Sequence, residues 1–271
     1  MTGPSSGRTS RGSASELGGL IVFTAHPDDE FFCAGLIGAL THRGIPVHLV
    51  CWTGGEGGMS RRTRLLLTLP KRFHPRRIEM RRSARHLGAT SLTFLPYVDY
   101  RSKAGLAAPV FDSTALKQEI ADLMTQREAG MVVTHGSDGD YGHPAHQVLH
   151  RLVREVCCEA KGTSRPLLTF NANWASAPHA RCLNQSDRAD CVLDSRPYRR
   201  QKLQVFFSHR TQVGVLKSMV KESGSSLREL MHATRYEGYH CWNEGPLREQ
   251  ALKRFQDWTG TGSGGDKEIS S

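Results

Sequence analysis

Six residues, Ala25-His26-Pro27-Asp28-Asp29-Glu30, place an imidazole and three carboxylates within a single turn. They follow directly on Gly19-Leu20-Ile21-Val22-Phe23-Thr24, an apolar run that reads as a buried strand. Burying such polar groups without partners costs several kcal/mol each, so the strand end is poor core and good site material. Ligands of open α/β sheets collect just beyond the carboxyl ends of the strands. Metal coordination or acid/base work is the chemistry this cluster can do. A second cluster, His135-Gly136-Ser137-Asp138-Gly139-Asp140-Tyr141-Gly142-His143-Pro144-Ala145-His146, also follows an apolar run and leads into a helix. Pro144 suits a first helical turn, which puts His143 and His146 on one side of that helix. His26, Asp29 and His146 then make a two-His, one-carboxylate metal site with positions open to water and substrate. The same donor set is a facial triad for Fe(II), which keeps a non-haem oxygenase as the competing enzyme class. His150 reads as a buried helix residue, since three protein ligands suffice. His135 has a strand-end position without an assigned role.

Strands and helices alternate in the way needed to carry these clusters. Strands are expected at Leu20 to Ala25, Val47 to Trp52, Leu92 to Leu95 and Met131 to Thr134. Helices are expected at Glu30 to Arg43, Arg76 to Leu87, Thr114 to Arg127 and Pro144 to Ala160, with Gly88 closing the second and Asp112 or Ser113 capping the third. Leu167 to Phe170 and Leu203 to Ser208 read as later extended or mixed segments. Such alternation predicts an α/β fold: a Rossmann-like, mostly parallel sheet with helices on both faces. No linker interrupts residues 18–258, so one domain is expected there. Residues 1–17 read as a disordered leader and 259–271 as a disordered tail.

The chain has 271 residues, 38% hydrophobic and 23% charged, and no apolar stretch near the roughly 18 residues of a membrane span. No signal-peptide h-region precedes the first strand, and seven cysteines without a regular framework suggest reduced thiols, so a cytoplasmic location is expected. Cys182 and Cys191 are the one pair spaced to bracket a surface loop as a disulfide, which the reduced-thiol reading disfavours. The net charge of +10 is concentrated in residues 60–85, where ten Arg and Lys face Glu79 alone. That run reads first as a solvated face, and otherwise as a means of attracting an anion. Nucleic acid is disfavoured, because no recognition motif accompanies the charge. Gly54 to Gly58 lacks the Lys-Ser/Thr of a phosphate loop and reads as a tight turn.

Together, Ala25-His26-Pro27-Asp28-Asp29-Glu30 and Gly142-His143-Pro144-Ala145-His146 resemble the paired signatures of the LmbE-like, or PIG-L, family of zinc-dependent de-N-acetylases. Weaker similarity lies in Thr53 to Gly58, Arg76-Arg77-Ile78-Glu79-Met80 with Leu87-Gly88, Asp99, and His209-Arg210-Thr211-Gln212, so the resemblance covers residues 19–240. It implies one Zn²⁺ per chain on His26, Asp29 and His146, with Fe²⁺ as the alternative metal. Asp28 is implied as general base, His143 as oxyanion stabiliser or general acid, and Tyr141 as a further donor to the same oxygen. Arg76 and Asp99 match positions where the family grips its substrate, and Glu30 is expected to cap or orient the following helix. Ala145 stands where the family often has Asp, which leaves His143 without its usual partner unless Asp138 or Asp140 replaces it.

The resemblance implies a zinc-dependent amidohydrolase that cleaves the linear amide C–N bond of an N-acetylated amino sugar conjugate. An N-acetylglucosamine-type intermediate of antibiotic (aminoglycoside) or thiol-cofactor metabolism is the substrate class expected. The non-enzymatic alternative is a basic carbohydrate- or nucleic-acid-binding protein on the same scaffold. The aglycone and the oligomeric state are not encoded in any motif.

Overall fold

A strand that is apolar on both faces belongs in the middle of a sheet. In the computed structural model, β1 (Gly19–Thr24) is buried along its whole length and runs parallel to both neighbours, β2 (Val47–Thr53) and β4 (Ala129–Thr134). The structure describes residues 18–59, 65–99, 105–159, 164–174, 184–222, 224 and 226–261. Adding β3 (Ser91–Tyr97), β5 (Leu167–Thr169), β6 (Cys191–Asp194) and β7 (Tyr236–Cys241) gives a seven-stranded sheet of order β3-β2-β1-β4-β5-β7-β6. The first five strands pair in parallel and β7 pairs antiparallel with β5 and β6. The connections run outward from β1 toward β3 and then reverse at β4. The ends of β1 and β4 therefore flank the switch point, where an open α/β sheet has its crevice.

Alternate residues of β1 face two cores. Leu20 and Val22 pack with Leu36, Ile37 and Leu40 of α1 (Ala34–Thr41), Val205 of α5 (Arg199–Ser208) and Phe255 of α8 (Gly245–Thr259). Ile21 and Phe23 pack with Leu116 and Ile120 of α3 (Ser113–Gln126) and Leu149 and Leu152 of α4 (Pro144–Arg154). α2 (Pro75–Leu87) begins with Pro at its first turn and ends at Gly88 in a left-handed conformation. Asp112 caps α3 by accepting from the Ala115 N–H at 2.9 Å. Two further helices are α6 (Val213–Glu222) and α7 (Leu227–Ala233).

Local differences from the sequence reading have physical causes. Leu203 to Ser208 is helical, not extended: Lys202, Val205 and Ser208 are its buried positions, at a helical spacing of three. The helix after the first motif starts as a 3₁₀ turn over Asp29–Cys33 before α1 proper. The helix expected over Pro144 to Ala160 is regular to Arg154 and widens to a π turn over Glu155–Glu159. β7 escaped detection because it carries a buried carboxylate. Glu237 accepts the N–H groups of Gly35 and Leu36 at 2.7 and 2.9 Å, satisfying the start of α1, and pairs with Lys202 and the Tyr239 hydroxyl. Glu237 thus acts on α1 proper, while Glu30, expected to cap or orient this helix, accepts the Asp28 N–H at the start of the 3₁₀ turn.

α8 extends through Thr259, and Gly260 ends it in a left-handed conformation. Residues 1–17 and 262–271 lie outside the described residues, as do Arg61, Arg62, Arg64 and Cys182. The other six cysteines are free thiols. Among the described residues no helix is long and apolar enough to cross a membrane.

Candidate metal centre and active site

The first motif leaves β1 through a backbone turn that most residues avoid. Asp28 sits at φ 117°, a conformation that costs on the order of 1–3 kcal/mol away from glycine. Three neighbours hold it there. Its own N–H donates to Glu30 Oε2 at 3.0 Å, and Glu30 Oε1 accepts from His209 Nε2 at 2.6 Å. The Arg76 guanidinium donates to Asp28 Oδ1 at 2.9 Å, to the Pro27 carbonyl at 2.5 Å and to the Gly55 carbonyl at 2.9 Å. Arg76 is 4% exposed, so its fork is committed to this turn. A Cβ at Gly55, which itself has φ 68°, would fall on that guanidinium. The glycine run after β2 is therefore the space Arg76 needs.

His26, Asp29 and His146 come together although they leave two strands. His26 Nδ1 lies 3.1 Å from His146 Nε2 and 3.5 Å from Asp29 Oδ2, and His146 Nε2 lies 3.5 Å from the same oxygen. Ligands about 2.05 Å from a tetrahedral ion stand roughly 3.3 Å apart, so this triangle has the size of one face of such a site. The donor chemistry agrees. His146 Nδ1 donates to Asp140 Oδ2 at 3.0 Å, which leaves Nε2 with a bare lone pair facing His26. Among the described residues His26 Nε2 has no hydrogen-bond partner, and Asp99 Oδ1 lies 3.8 Å from it. Two buried ring nitrogens this close need a proton or a cation beside them.

His135 stands next to the triangle but is occupied otherwise. Its Nε2 accepts the Ala25 N–H at 3.0 Å and its Nδ1 donates to Asp140 Oδ2 at 2.8 Å. The ring stacks on His146 with centroids 3.9 Å apart. His150 donates to the His135 carbonyl at 3.0 Å, which places it behind His135 and away from the triangle.

His143 caps α4: its Nδ1 accepts the Ala145 N–H at 3.1 Å, so the ring proton is on Nε2. A backbone amide thus orients His143, where the sequence offered Asp138 or Asp140 in place of the family's usual carboxylate. Ala145 is fully buried in the core beneath α4. The His143 ring centroid is 4.6 Å from those of both His26 and His146, and Tyr141 meets His143 and His146 edge-on at 5.8 and 5.3 Å. Asp99 is 7% exposed, and its Oδ2 accepts the Gly57 N–H. Arg76 and Asp99, expected at the substrate, lie behind Asp28 and His26.

The titration of these groups maps the local field. Burial alone would lower the His26 pKa, but Asp29 and Asp99 raise it to about 9. The negative potential that would hold a proton there would equally favour a cation. Burial and then the His26 and His146 rings push His143 down to about 2, so it is a neutral donor. Burial lifts Asp28 to about 6 with help from Asp29, against the pull of Arg76. Asp140 is held below the usual carboxylate range by His135 and His146, although burial opposes its ionisation.

A model of the family described as GlcNAc-PI de-N-acetylase (PIG-L) matches residues 21–157, a span containing both motifs. The chain belongs to this family. It is 27% identical over 248 residues to the 1D-myo-inositol 2-acetamido-2-deoxy-alpha-D-glucopyranoside deacetylase of Corynebacterium efficiens, covering 77% of each chain. Its fold is similar to that of the N,N'-diacetylchitobiose deacetylase of Pyrococcus horikoshii, with TM-score 0.55, 18% identity and 83% of each chain covered. It is similar also to the 4-carboxy-2-hydroxymuconate hydratase of Pseudomonas putida, with TM-score 0.57, 20% identity, and 83% of this chain and 95% of that one covered. A deacetylase and a hydratase on one scaffold show that reaction type must be argued from the site.

Within this PIG-L domain, the sequence offered Asp140 only as a substitute partner for His143 and gave His135 no role. Both converge on the back of His146. Asp140 reaches it from φ 66° and ψ −67°, with Asn171 donating to its other oxygen at 3.0 Å. Nothing local in Gly139-Asp140 gives the direction in which this turn aims its carboxylate.

Proposed function

We propose that the chain is a metal-dependent hydrolase that removes the acetyl group from an N-acetylglucosamine conjugate. The observation that carries this reading is the triangle of His26 Nδ1, Asp29 Oδ2 and His146 Nε2 beside a second carboxylate, Asp28, that Arg76 holds out of it. One Zn²⁺ on those three atoms would supply Lewis acidity for the amide carbonyl and lower the pKa of water. Asp28, with a side chain one-third exposed, is the base that takes the proton of the attacking water. As the water oxygen bonds to the acetyl carbon, negative charge grows on the carbonyl oxygen, and His143 Nε2–H donates to it. Tyr141, against the same ring, lines that side. The C–N bond then breaks, Asp28 returns its proton to the leaving nitrogen, and acetate and a free amine result. Arg76 acts through Asp28, and Asp99 through His26, as positioning residues. The name of the Corynebacterium efficiens relative supports a polyol glycoside of N-acetylglucosamine as substrate. Carboxylate, base and neutral imidazole donor together suit hydrolysis better than oxygen activation.

The test is acetate release from a panel of N-acetylglucosaminides, inositol and malate glycosides included, with oxygen uptake followed in parallel. Stoichiometric acetate and amine, lost with chelator and restored by Zn²⁺, is the expected result. Absence of acetate from every member with metal-replete protein would overturn the proposal, as would oxygen uptake coupled to turnover.

A further inference from the structure

Away from the metal triangle, α2 and α5 flank an open cleft of about 590 Å³ with an unusual lining. Arg82 and His86 come from α2, Arg199, Arg200 and Phe207 from α5, and Arg210 from just beyond it. The helical repeat explains the convergence: Arg82 and His86 are four apart, as are Arg199, Leu203 and Phe207 in turn. No Asp or Glu lines the cleft. By contrast, three nearby arginines have acceptors: Arg76 binds Asp28, Arg81 the Arg72 carbonyl and Arg196 Asp194. The four cleft guanidiniums have no hydrogen bond or ion pair among the described residues. Leu203 and Phe207 form an apolar strip between these cations, and Phe207 is 61% exposed. Four like charges in one concavity repel one another, and the Phe207 ring, although it meets Phe206 edge-on at 5.4 Å, leaves most of its surface in water.

We propose that this cleft binds a phosphorylated small molecule, with its phosphate on the guanidiniums and an apolar portion on Phe207 and Leu203. Guanidinium forks match phosphate oxygens two at a time. A phosphate monoester brings about −1.5 to −2 charges where a carboxylate brings one, and the lining calls for more than one. The volume falls within the roughly 300–1,000 Å³ of small-molecule sites. None of the lining residues belongs to the metal triangle, so the proposal stands apart from the deacetylase reading. The nearest link is through the chain: His209, between Ser208 and Arg210, is the residue that reaches Glu30.

Calorimetric titration of the metal-loaded full chain with 1-naphthyl phosphate tests this, with 1-naphthol and inorganic phosphate as comparators. The naphthyl phosphate should bind more tightly than either. The combined variant R82S/R199S/R200S should weaken it at least about tenfold by removing charge-assisted contacts. Phe207→Ser should weaken naphthyl phosphate but leave inorganic phosphate unchanged. His146→Ala, which alters the metal triangle and leaves the cleft intact, should keep the affinity of wild type. Loss of binding in His146→Ala would place the ligand on the metal and overturn the proposal. Equal binding by wild type and the triple Arg variant would also overturn it. Sedimentation with phosphatidylcholine vesicles, with and without phosphatidic acid, identifies the source of the phosphate. Acid-dependent pelleting that the triple variant loses means a lipid headgroup, and no pelleting means a soluble ester.

Discussion

Asp140→Asn separates the charge of the carboxylate behind the metal triangle from its shape. In wild type, Asp140 Oδ2 accepts from His135 Nδ1 at 2.8 Å and His146 Nδ1 at 3.0 Å, while Oδ1 accepts from Asn171. An asparagine can keep its oxygen at the Oδ2 position if Asn171 turns its carboxamide over to accept from the new NH₂ group. Both imidazole bonds then survive as neutral ones, roughly half as strong as charge-assisted bonds. Partners that orient a metal-binding histidine are worth about 10- to 100-fold in metal affinity. With geometry retained, the lower end is expected: about tenfold, or ~1.4 kcal/mol. Asp140→Ala differs in kind. It leaves two buried imidazole N–H groups without an acceptor, at about 1–3 kcal/mol each, so the fold itself loses about 2–6 kcal/mol. Competition with a chromophoric zinc chelator measures the first effect, and calorimetric unfolding of the metal-free variants the second. A zinc affinity in Asp140→Asn within twofold of wild type would refute the argument. So would an Asp140→Ala variant with the thermal stability of wild type.

The Glu30–His209 pair makes a pH-dependent contribution to stability. Burial disfavours ionising either group, yet each holds the other charged, lowering the Glu30 pKa from 4.5 and raising that of His209 from 6.5. The Glu30 contribution is lost as pH falls through its lowered value, and the His209 contribution as pH rises through its raised one. The Tm deficit of His209→Gln should therefore be larger near pH 5.5 than near pH 9; a flat difference would count against the pair. Asp28 as base predicts an acid limb in kcat/KM near its pKa of about 6, and Arg76, which lowers that pKa, predicts that Arg76→Lys with a weaker grip moves the limb upward. Asp28→Asn should abolish acetate release while keeping one metal per chain, and loss of metal from that variant would mean that Asp28 is a ligand. A Cβ at Gly136 would collide with the Asn184 carboxamide, which is held by Asp187, so Gly136→Ala should cost about 1–3 kcal/mol in urea unfolding.

The legible parts of the fold are those specified by near neighbours. The apolar runs at β1, β2 and β4, the Pro75 start and Gly88 stop of α2, and the Asp112 cap of α3 rest on interactions within a few residues. β7 was not legible, because the Glu237 that breaks its apolar pattern is satisfied by α1, some two hundred positions earlier in the chain. In the run Arg76-Arg77-Ile78-Glu79-Met80-Arg81-Arg82, nothing local separates the buried Arg76 and Arg77 from the exposed Arg82. The distinction arises only when α2 docks beside Gly55 and Phe94.

The site divides along the same line. Residue types and spacing in two short motifs offered His26, Asp29 and His146 as a candidate site, because a strand end rich in ionisable groups is costly unless it is a site, and the family resemblance added Asp28 and His143. Tertiary structure alone decided their neighbours. His26 and His146 meet across 120 positions because β1 and β4 are adjacent at the switch point of the sheet. Asp140 faces His146, and not His143, because a positive-φ turn aims it under α4, while the Ala145 N–H at the start of that helix holds His143. Hydrogen bonds and ion pairs act over a few ångströms, and which groups come that close depends on how the whole chain is packed.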